Sequence, residues 1–257
     1  MTIRRSHLTF NYTDHFILMK HVHCIGIVLV VFWVTGCAET EFPPPHYVAE
    51  RREHVDGVLG ISATSPDGMR IVSVEGDGIV QIVDVESWEV LHIFEGHTDW
   101  VRSAQFSPDS RRIITSSDDK TIRILDAGSG RELRRFAHTG GVIFAAFSPD
   151  EQQIATGNKD GIVRLWDAAM ERELQQFEGH TDWAHYIIFS PNGQQIATSG
   201  NDGTIRLWDV ESGKELQKLE GLTDYFAAQF MPDGLGVIMI RNDGEDAFVW
   251  DFVEETE

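Results

Sequence analysis

The sequence predicts an all-β fold in which a four-stranded antiparallel unit recurs five times, and three observations predict it. The turn Ser65-Pro66-Asp67 recurs as Ser107-Pro108-Asp109, Ser148-Pro149-Asp150, Ser190-Pro191-Asn192 and Met231-Pro232-Asp233, in steps of 42, 41, 42 and 41 residues. The aspartates Asp84, Asp126, Asp167, Asp209 and Asp251 keep the same beat. Of the eight prolines, three form one N-terminal run and the other five all fall in these turns. A fixed period near 40 residues is the signature of a repeat architecture.

The N-terminal elements come before the repeats. Residues 24–34, CIGIVLVVFWV, are an uncharged apolar run, preceded by Met19-Lys20. The run is shorter than the ~20 residues of a comfortable membrane span and fits the apolar region of a signal peptide. Met19 is therefore read as the start, with 1–18 as an upstream extension. The run ends in Val34-Thr35-Gly36-Cys37, which resembles the lipobox of bacterial lipoproteins, with Val34 where leucine is commonest. The resemblance implies acylation of Cys37, so that 1–37 is a signal peptide and the mature chain is exported and lipid-anchored to a bacterial cell envelope. Ordinary cleavage, giving a soluble secreted or periplasmic protein, and an uncleaved anchor are the alternatives. Residues 38–46, with Pro43-Pro44-Pro45, read as a stiff tether.

Residues 47–257 are the repeat array. The third unit shows its strands best: Val142–Phe147, Gln153–Thr156, Ile162–Trp166 and Arg172–Phe177 are short, rich in β-branched or aromatic residues, and bounded by Gly, Asn, Asp or Pro. Such a unit cannot bury both faces alone, and radial stacking of several buries them.

Gly96-His97 and Gly179-His180, with Trp166-Asp167, Trp208-Asp209 and Trp250-Asp251, resemble the motifs of WD repeats over about residues 52–257. The resemblance implies a β-propeller of five four-stranded blades, at about 54–94, 97–136, 138–177, 180–219 and 222–257. It also implies a hydrogen-bond chain within each blade, from a turn aspartate to the histidine, a strand hydroxyl and the tryptophan indole. That chain falls on His180, Asp202 and Trp208 in the fourth unit and on His138, Asp160 and Trp166 in the third. The second unit keeps His97 and Asp119 but has Leu125 for tryptophan. The first keeps His54 and Asp77 but has Val83, and the fifth has Leu222 for histidine. The last unit stops after its third strand, Ala247–Phe252. An N-terminal strand, Tyr47–Glu53, would complete it, although Ala49 and Arg52 suit that role poorly. A closed five-bladed ring, an open arc that pairs with another chain, and a remnant of a larger ring all remain open.

Composition narrows the function. With 21 basic against 41 acidic residues, the net charge of −20 repels phosphate backbones, so no nucleic-acid partner is expected. The only cysteines, Cys24 and Cys37, leave the array without a disulfide or thiolate metal site. One histidine per blade does not make a metal centre, and no metal or other cofactor is expected. No phosphate loop, zinc-protease motif or recognisable nucleophile is present. Near-equivalent blades would supply equivalent carboxylates, whereas a glycosidase needs a differentiated acid and base.

Function therefore falls to exposed loops. Three residues after the histidine position stand Trp100, Trp183 and Tyr225, with Gly141 and Gly57 in the other units. The resemblance places these loops on the top face. The aromatics there, joined by Arg102 and His185, are the candidate partner-binding residues, since aromatics and arginine dominate interface hot spots. Packing against the neighbouring blade is the plainer role for the same tryptophans. Lys120, Lys159 and Asn201 sit in nearby turns, and Arg123, Arg164 and Arg206 read as a solvated stripe over the sheet. The expected function is a non-catalytic protein–protein interaction scaffold. A carbohydrate-binding or hydrolysing surface domain is the alternative, and a self-assembling structural protein, including a homo-oligomer that completes the ring, is the lesser one.

Overall fold

The computed structural model describes residues 62–75, 78–169, 172–221, 225–241 and 247–252. The signal region with Met19 and Cys37, the tether, Tyr47–Glu53, His54, Gly57, Asp77 and Leu222 lie outside the described residues. So do the side chains of Tyr225 and its strand neighbours through Ala228.

Nineteen described strands form five antiparallel sheets in sequence order. Blade 1 holds β1 (Ser62–Thr64), β2 (Arg70–Glu75), β3 (Ile79–Asp84) and β4 (Val90–Glu95). Blade 2 holds β5 (Val101–Phe106), β6 (Arg112–Ser117), β7 (Thr121–Asp126) and β8 (Glu132–Ala137). Blade 3 holds β9 (Val142–Phe147), β10 (Gln153–Asn158), β11 (Val163–Asp167) and β12 (Glu173–Phe177). Blade 4 holds β13 (Ala184–Phe189), β14 (Gln195–Gly200), β15 (Ile205–Asp209) and β16 (Glu215–Leu219). Blade 5 is a three-stranded sheet of β17 (Tyr225–Phe230), β18 (Gly236–Arg241) and β19 (Ala247–Asp251). The strands of the third unit fall where the sequence puts them to within two residues. The architecture is that of a WD-repeat β-propeller, built from repeated antiparallel sheets.

The Ser-Pro-Asp turns set the repeat. In blade 2, Ser107 Oγ donates to Asp109 Oδ1 at 2.6 Å and accepts the Arg112 amide at 2.9 Å. Asp109 Oδ1 also accepts the Arg111 amide. Side chains thus satisfy turn amides that no strand can reach. The third-to-fourth strand pairing carries a register shift at the same point in blades 1 to 4, for example between Leu207 and Trp208.

The core lies between blades. One apolar cluster joins Val72, Val80 and Ile82 of blade 1 to Val101, Ala104 and Leu125 of blade 2. A second joins Ile114, Ile122 and Ile124 of blade 2 to Val142, Ile154 and Trp166 of blade 3. A third runs from Phe144 and Phe177 through Tyr186 and Trp208 to Phe230 and Trp250, linking blades 3, 4 and 5. Blades 2, 3 and 4 each pack both faces against neighbours, so their inner strands are buried almost throughout.

Candidate interaction site across three blades

Blade 4 contains a complete polar chain. The Trp208 indole N–H donates to Thr198 Oγ1 at 2.8 Å, and Thr198 Oγ1 lies 2.8 Å from His180 Nε2. His180 Nδ1 stands 3.1 Å from Asp202 Oδ1. With Nδ1 protonated, the threonine hydroxyl donates to Nε2 and every member is satisfied. Burial lowers the His180 pKa against the pull of Asp202, which keeps the ring neutral. Burial alone would raise Asp202, but donors from Thr204, the Thr181 amide and His180 outweigh it and hold the carboxyl at about 2. Blade 2 repeats the first half: His97 Nδ1 is 2.8 Å from Asp119 Oδ2 and Nε2 is 2.7 Å from Thr115 Oγ1. Buried Leu125 fills the indole's place.

In blade 3 the expected chain is broken. Trp166 donates to Thr156 Oγ1 at 3.0 Å, but His138 Nε2 is buried without a hydrogen-bond partner and Asp160 bonds Arg164 instead, at 2.8 Å. Two local residues account for this. Ile162 replaces the Thr121 or Thr204 hydroxyl that holds both aspartate and histidine in blades 2 and 4. Lys120, at φ 68°, takes the position that Gly161 holds one blade later, and a Cβ on Gly161 would come within 2.5 Å of the His180 carbonyl. Lys120 thus presents a Cβ to the loop that begins at His138. The imidazole turns edge-on to Trp166 at 4.6 Å, and burial with the Arg164 charge lowers its pKa to about 4.

The arginine stripe is not solvated, contrary to the sequence expectation. Arg123 and Arg206 are buried, and each pairs with a glutamate nine residues on, Glu132 and Glu215, while facing its turn aspartate, Asp119 or Asp202. Arg164 contacts Asp160 and Glu173 in the same way. A long side chain can lie along the sheet and bury its guanidinium only because carboxylates on the outer strand and in the turn are waiting for it.

The loops after the histidine positions are each stitched to the turn between second and third strands of the same blade. The Trp100, Gly141 and Trp183 carbonyls accept the amides of Asp118, Lys159 and Asn201 at 2.9, 3.2 and 2.9 Å. This brings a connected set of side chains to one edge of three blades. Arg102 of β5 donates Nε to Asp118 Oδ2 at 2.9 Å and stacks near Trp100, its guanidinium carbon 6.0 Å from the ring centre. Asp118 Oδ1 lies 2.7 Å from Lys159 Nζ in blade 3. Lys159 in turn lies 4.9 Å over the Trp183 ring of blade 4. Gly141 leaves the space: a Cβ there would meet Asp118 Oδ1 at 3.0 Å and the Lys159 stem at 3.3 Å. Trp100 is 56% and Trp183 37% exposed. Burial raises the Asp118 pKa, but Arg102 and Lys159 overcome it and lower it.

The set therefore reads Trp100–Arg102–Asp118–Lys159–Trp183. His185 stays outside it, half-buried with Nδ1 3.4 Å from Ser199 Oγ. Lys120 and Asn201 are exposed nearby. Asp118 escaped the sequence reading, though its signal was present: it holds the repeat position of Lys159 one blade on, so opposite charges occupy one register in adjacent blades. Among the described residues no cluster of three His, Cys, Asp or Glu side chains is placed to hold a metal ion.

Comparison with known proteins finds the same repeats. The model of the WD domain, G-beta repeat, matches residues 88–126, 130–167 and 171–209. Similar stretches occur in the WD repeat-containing protein SL1-17 of Schistosoma mansoni, 40% identical over 25% of this chain and 21% of that protein. Nuclear distribution protein PAC1 of Coccidioides posadasii is 34% identical over 30% of this chain and 16% of its own length. The guanine nucleotide-binding protein subunit beta of Oryza sativa subsp. japonica is 32% identical over 33% and 22%. The matched stretch spans about a fifth or less of the first two relatives. Within residues 88–209 this chain is similar to WD repeats.

Proposed function

We propose that this chain is a non-catalytic protein-interaction scaffold whose partner binds across blades 2 to 4 at Trp100, Arg102, Lys159 and Trp183. The observation that carries this is the continuous side-chain set, which keeps two tryptophans exposed and fixes the groups between them. Rigid, half-exposed aromatics flanking pre-positioned cations are the hot-spot chemistry of protein interfaces, because little ordering entropy is lost on binding. The one carboxylate in the set, Asp118, is held by Arg102 and Lys159, an arrangement suited to holding shape rather than moving protons. The similarity to a subunit of a guanine nucleotide-binding protein supports an assembly role. We further propose, on the lipobox resemblance at Cys37, that the scaffold is lipid-anchored at a bacterial cell envelope.

The test is affinity capture from native membranes with the tagged full-length chain, against a folded Trp100→Ala, Trp183→Ala variant. A partner retained by the wild type and lost with the variant is expected. A captured set indifferent to both substitutions removes the site. Exposed tryptophans also suit sugar stacking, so saturable quenching of their fluorescence by oligosaccharides would replace the protein partner with a carbohydrate. Metabolic labelling with a fatty acid analogue checks the anchor, and loss of label in Cys37→Ala is expected.

A further inference from the structure

The edge that carries the Ser-Pro-Asp turns lies at the other end of the strands from the tryptophan loops, and there arginine joins the blades. Arg70, the first residue of β2, reaches from blade 1 into blade 2. Its Nη2 donates to the Ser110 carbonyl at 2.8 Å and its Nη1 to the Ala127 carbonyl at 3.1 Å. Its guanidinium carbon lies 5.8 Å from the centre of the Phe106 ring. Arg112, the first residue of β6, takes the same place one blade on. It pairs with Glu151 of blade 3, and its guanidinium carbon lies 4.9 Å from the centre of the Phe147 ring. A guanidinium therefore fills the seam between blades 1 and 2, and again between blades 2 and 3.

The third seam breaks the pattern. Gln153, the first residue of β10, stands where Arg70 and Arg112 stand before it, and Gly193 of blade 4 stands where Ser110 and Glu151 do. Both the plug and its side-chain anchor are gone, and a groove of about 580 Å³ opens between blades 3 and 4. Its walls keep what an arginine needs. Gly193 and Val210 correspond to Ser110 and Ala127, whose carbonyls Arg70 engages, and both line the groove. Leu165 and Leu174 offer apolar surface to a methylene stem. Asp209 and Glu211 supply negative charge, and Glu211 takes the place of Gly128 and Ala169 in the earlier blades. Among the described residues no lysine, arginine or histidine lines the groove. The Gln175 amide donates to the Ser212 carbonyl at 3.3 Å, which fixes one wall.

We propose that this groove is a binding socket for the side chain of an arginine presented by a partner protein. The molecule itself names the occupant, because two equivalent seams already hold a guanidinium of this chain. A guanidinium presents five N–H donors in a fixed planar fork and suits a cleft whose acceptors are carbonyls and carboxylates. A lysine ammonium is a compact, more strongly hydrated charge, and it loses more on leaving water. The net charge of −20 draws a cationic partner to the surface. The groove and the tryptophan set lie at opposite ends of the strands, so the two sites stand or fall separately.

The experiment is an NMR titration of the full-length chain in mild detergent, reading the side-chain amide signals of Gln153, Gln175 and Gln194. The probes are N-acetyl-arginine methylamide, its lysine counterpart and free arginine. Saturable shifts are expected with the blocked arginine, with a dissociation constant at least about threefold below that of the lysine probe. Gln153→Arg rebuilds the plug of the earlier seams and should abolish binding, Gln153→Ala should keep it, and Glu211→Gln should weaken it about threefold. Thermal unfolding establishes that each variant is folded. A titration that does not saturate overturns the proposal, as does binding undiminished in folded Gln153→Arg. Should Gln153→Arg not fold, indifference to Glu211→Gln decides against the socket. Equal binding of the lysine probe overturns it in favour of unselective attraction of cations. Free arginine binding about tenfold more tightly than the blocked form overturns it in favour of a small-molecule ligand.

Discussion

Blades 3 and 4 carry the same motif residues at the same spacing, yet only blade 4 assembles them into a chain. Both have a histidine, an aspartate 22 residues later, a strand threonine and a tryptophan. In blade 4 these meet within 3.1 Å at each link. In blade 3 the tryptophan still finds its threonine, but histidine and aspartate part. The residues that decide this are Lys120 and Ile162, neither of which belongs to the motif. A hydrogen-bond network depends on the space around its members as much as on their identity, because a buried donor or acceptor without a partner is costly.

Four predictions test that contrast. The largest effect is expected at the shared threonine. Thr198→Val strands both Trp208 and His180 and should cost about 2–4 kcal/mol, whereas Thr156→Val loses one bond and should cost about 1–2. Urea unfolding of the two variants checks this, and equal losses would break the contrast.

The next effect is on pH dependence. His138 has a folded pKa of about 4, below its ordinary value, so the folded state binds fewer protons. The stability it contributes is full above ~6.5 and is lost as the pH falls through about 4, by at most about 3 kcal/mol. Burial of His97 and His180 acts in the same direction. Asp119 and Asp202, held at about 2, contribute stability above the ordinary 3.8 that is lost as the pH falls toward 2. Denaturant midpoints from pH 7 to 3 should show the upper step shrink in His138→Gln and the lower step persist.

A smaller gain should follow from repairing blade 3. Lys120→Gly and Ile162→Thr together should let His138 reach Asp160 and stabilise the fold by about 1 kcal/mol. A slowly exchanging imidazole N–H in the NMR spectrum is the signature, and its absence means that something else holds the ring away. The smallest effect is expected in blade 1. Trp88→Gly relieves the left-handed backbone and should raise stability by up to about 1 kcal/mol. A stability loss there would mean that the indole packs within its own chain.

The sequence carried the architecture because the repeat states it five times, and a turn such as Ser107-Pro108-Asp109 works through residues two to five apart. It carried the exposed tryptophans of the site for the same reason. It did not reveal the burial of Arg123 and Arg206, since only the partner glutamate nine residues away, across a hairpin, makes a buried guanidinium tolerable. Nor did it reveal the break at His138, which depends on a Cβ from the preceding blade. Asp118 fell between these cases: its neighbour Asp119 drew the motif assignment, and its own partner lies in the next sheet.

The stretch that matches the WD-repeat model is offset from the stretch that folds as a sheet. Residues 88–126 take in β4 of blade 1 and then β5, β6 and β7 of blade 2, and 130–167 and 171–209 are offset in the same way. Each inherited unit therefore gives its outermost strand to the sheet before it. In genetic terms, a tandem duplication or loss of one unit adds or removes a blade while leaving every interior sheet with four strands. Copy number can drift without exposing an unpaired strand inside the array, and any raggedness is carried to the two ends.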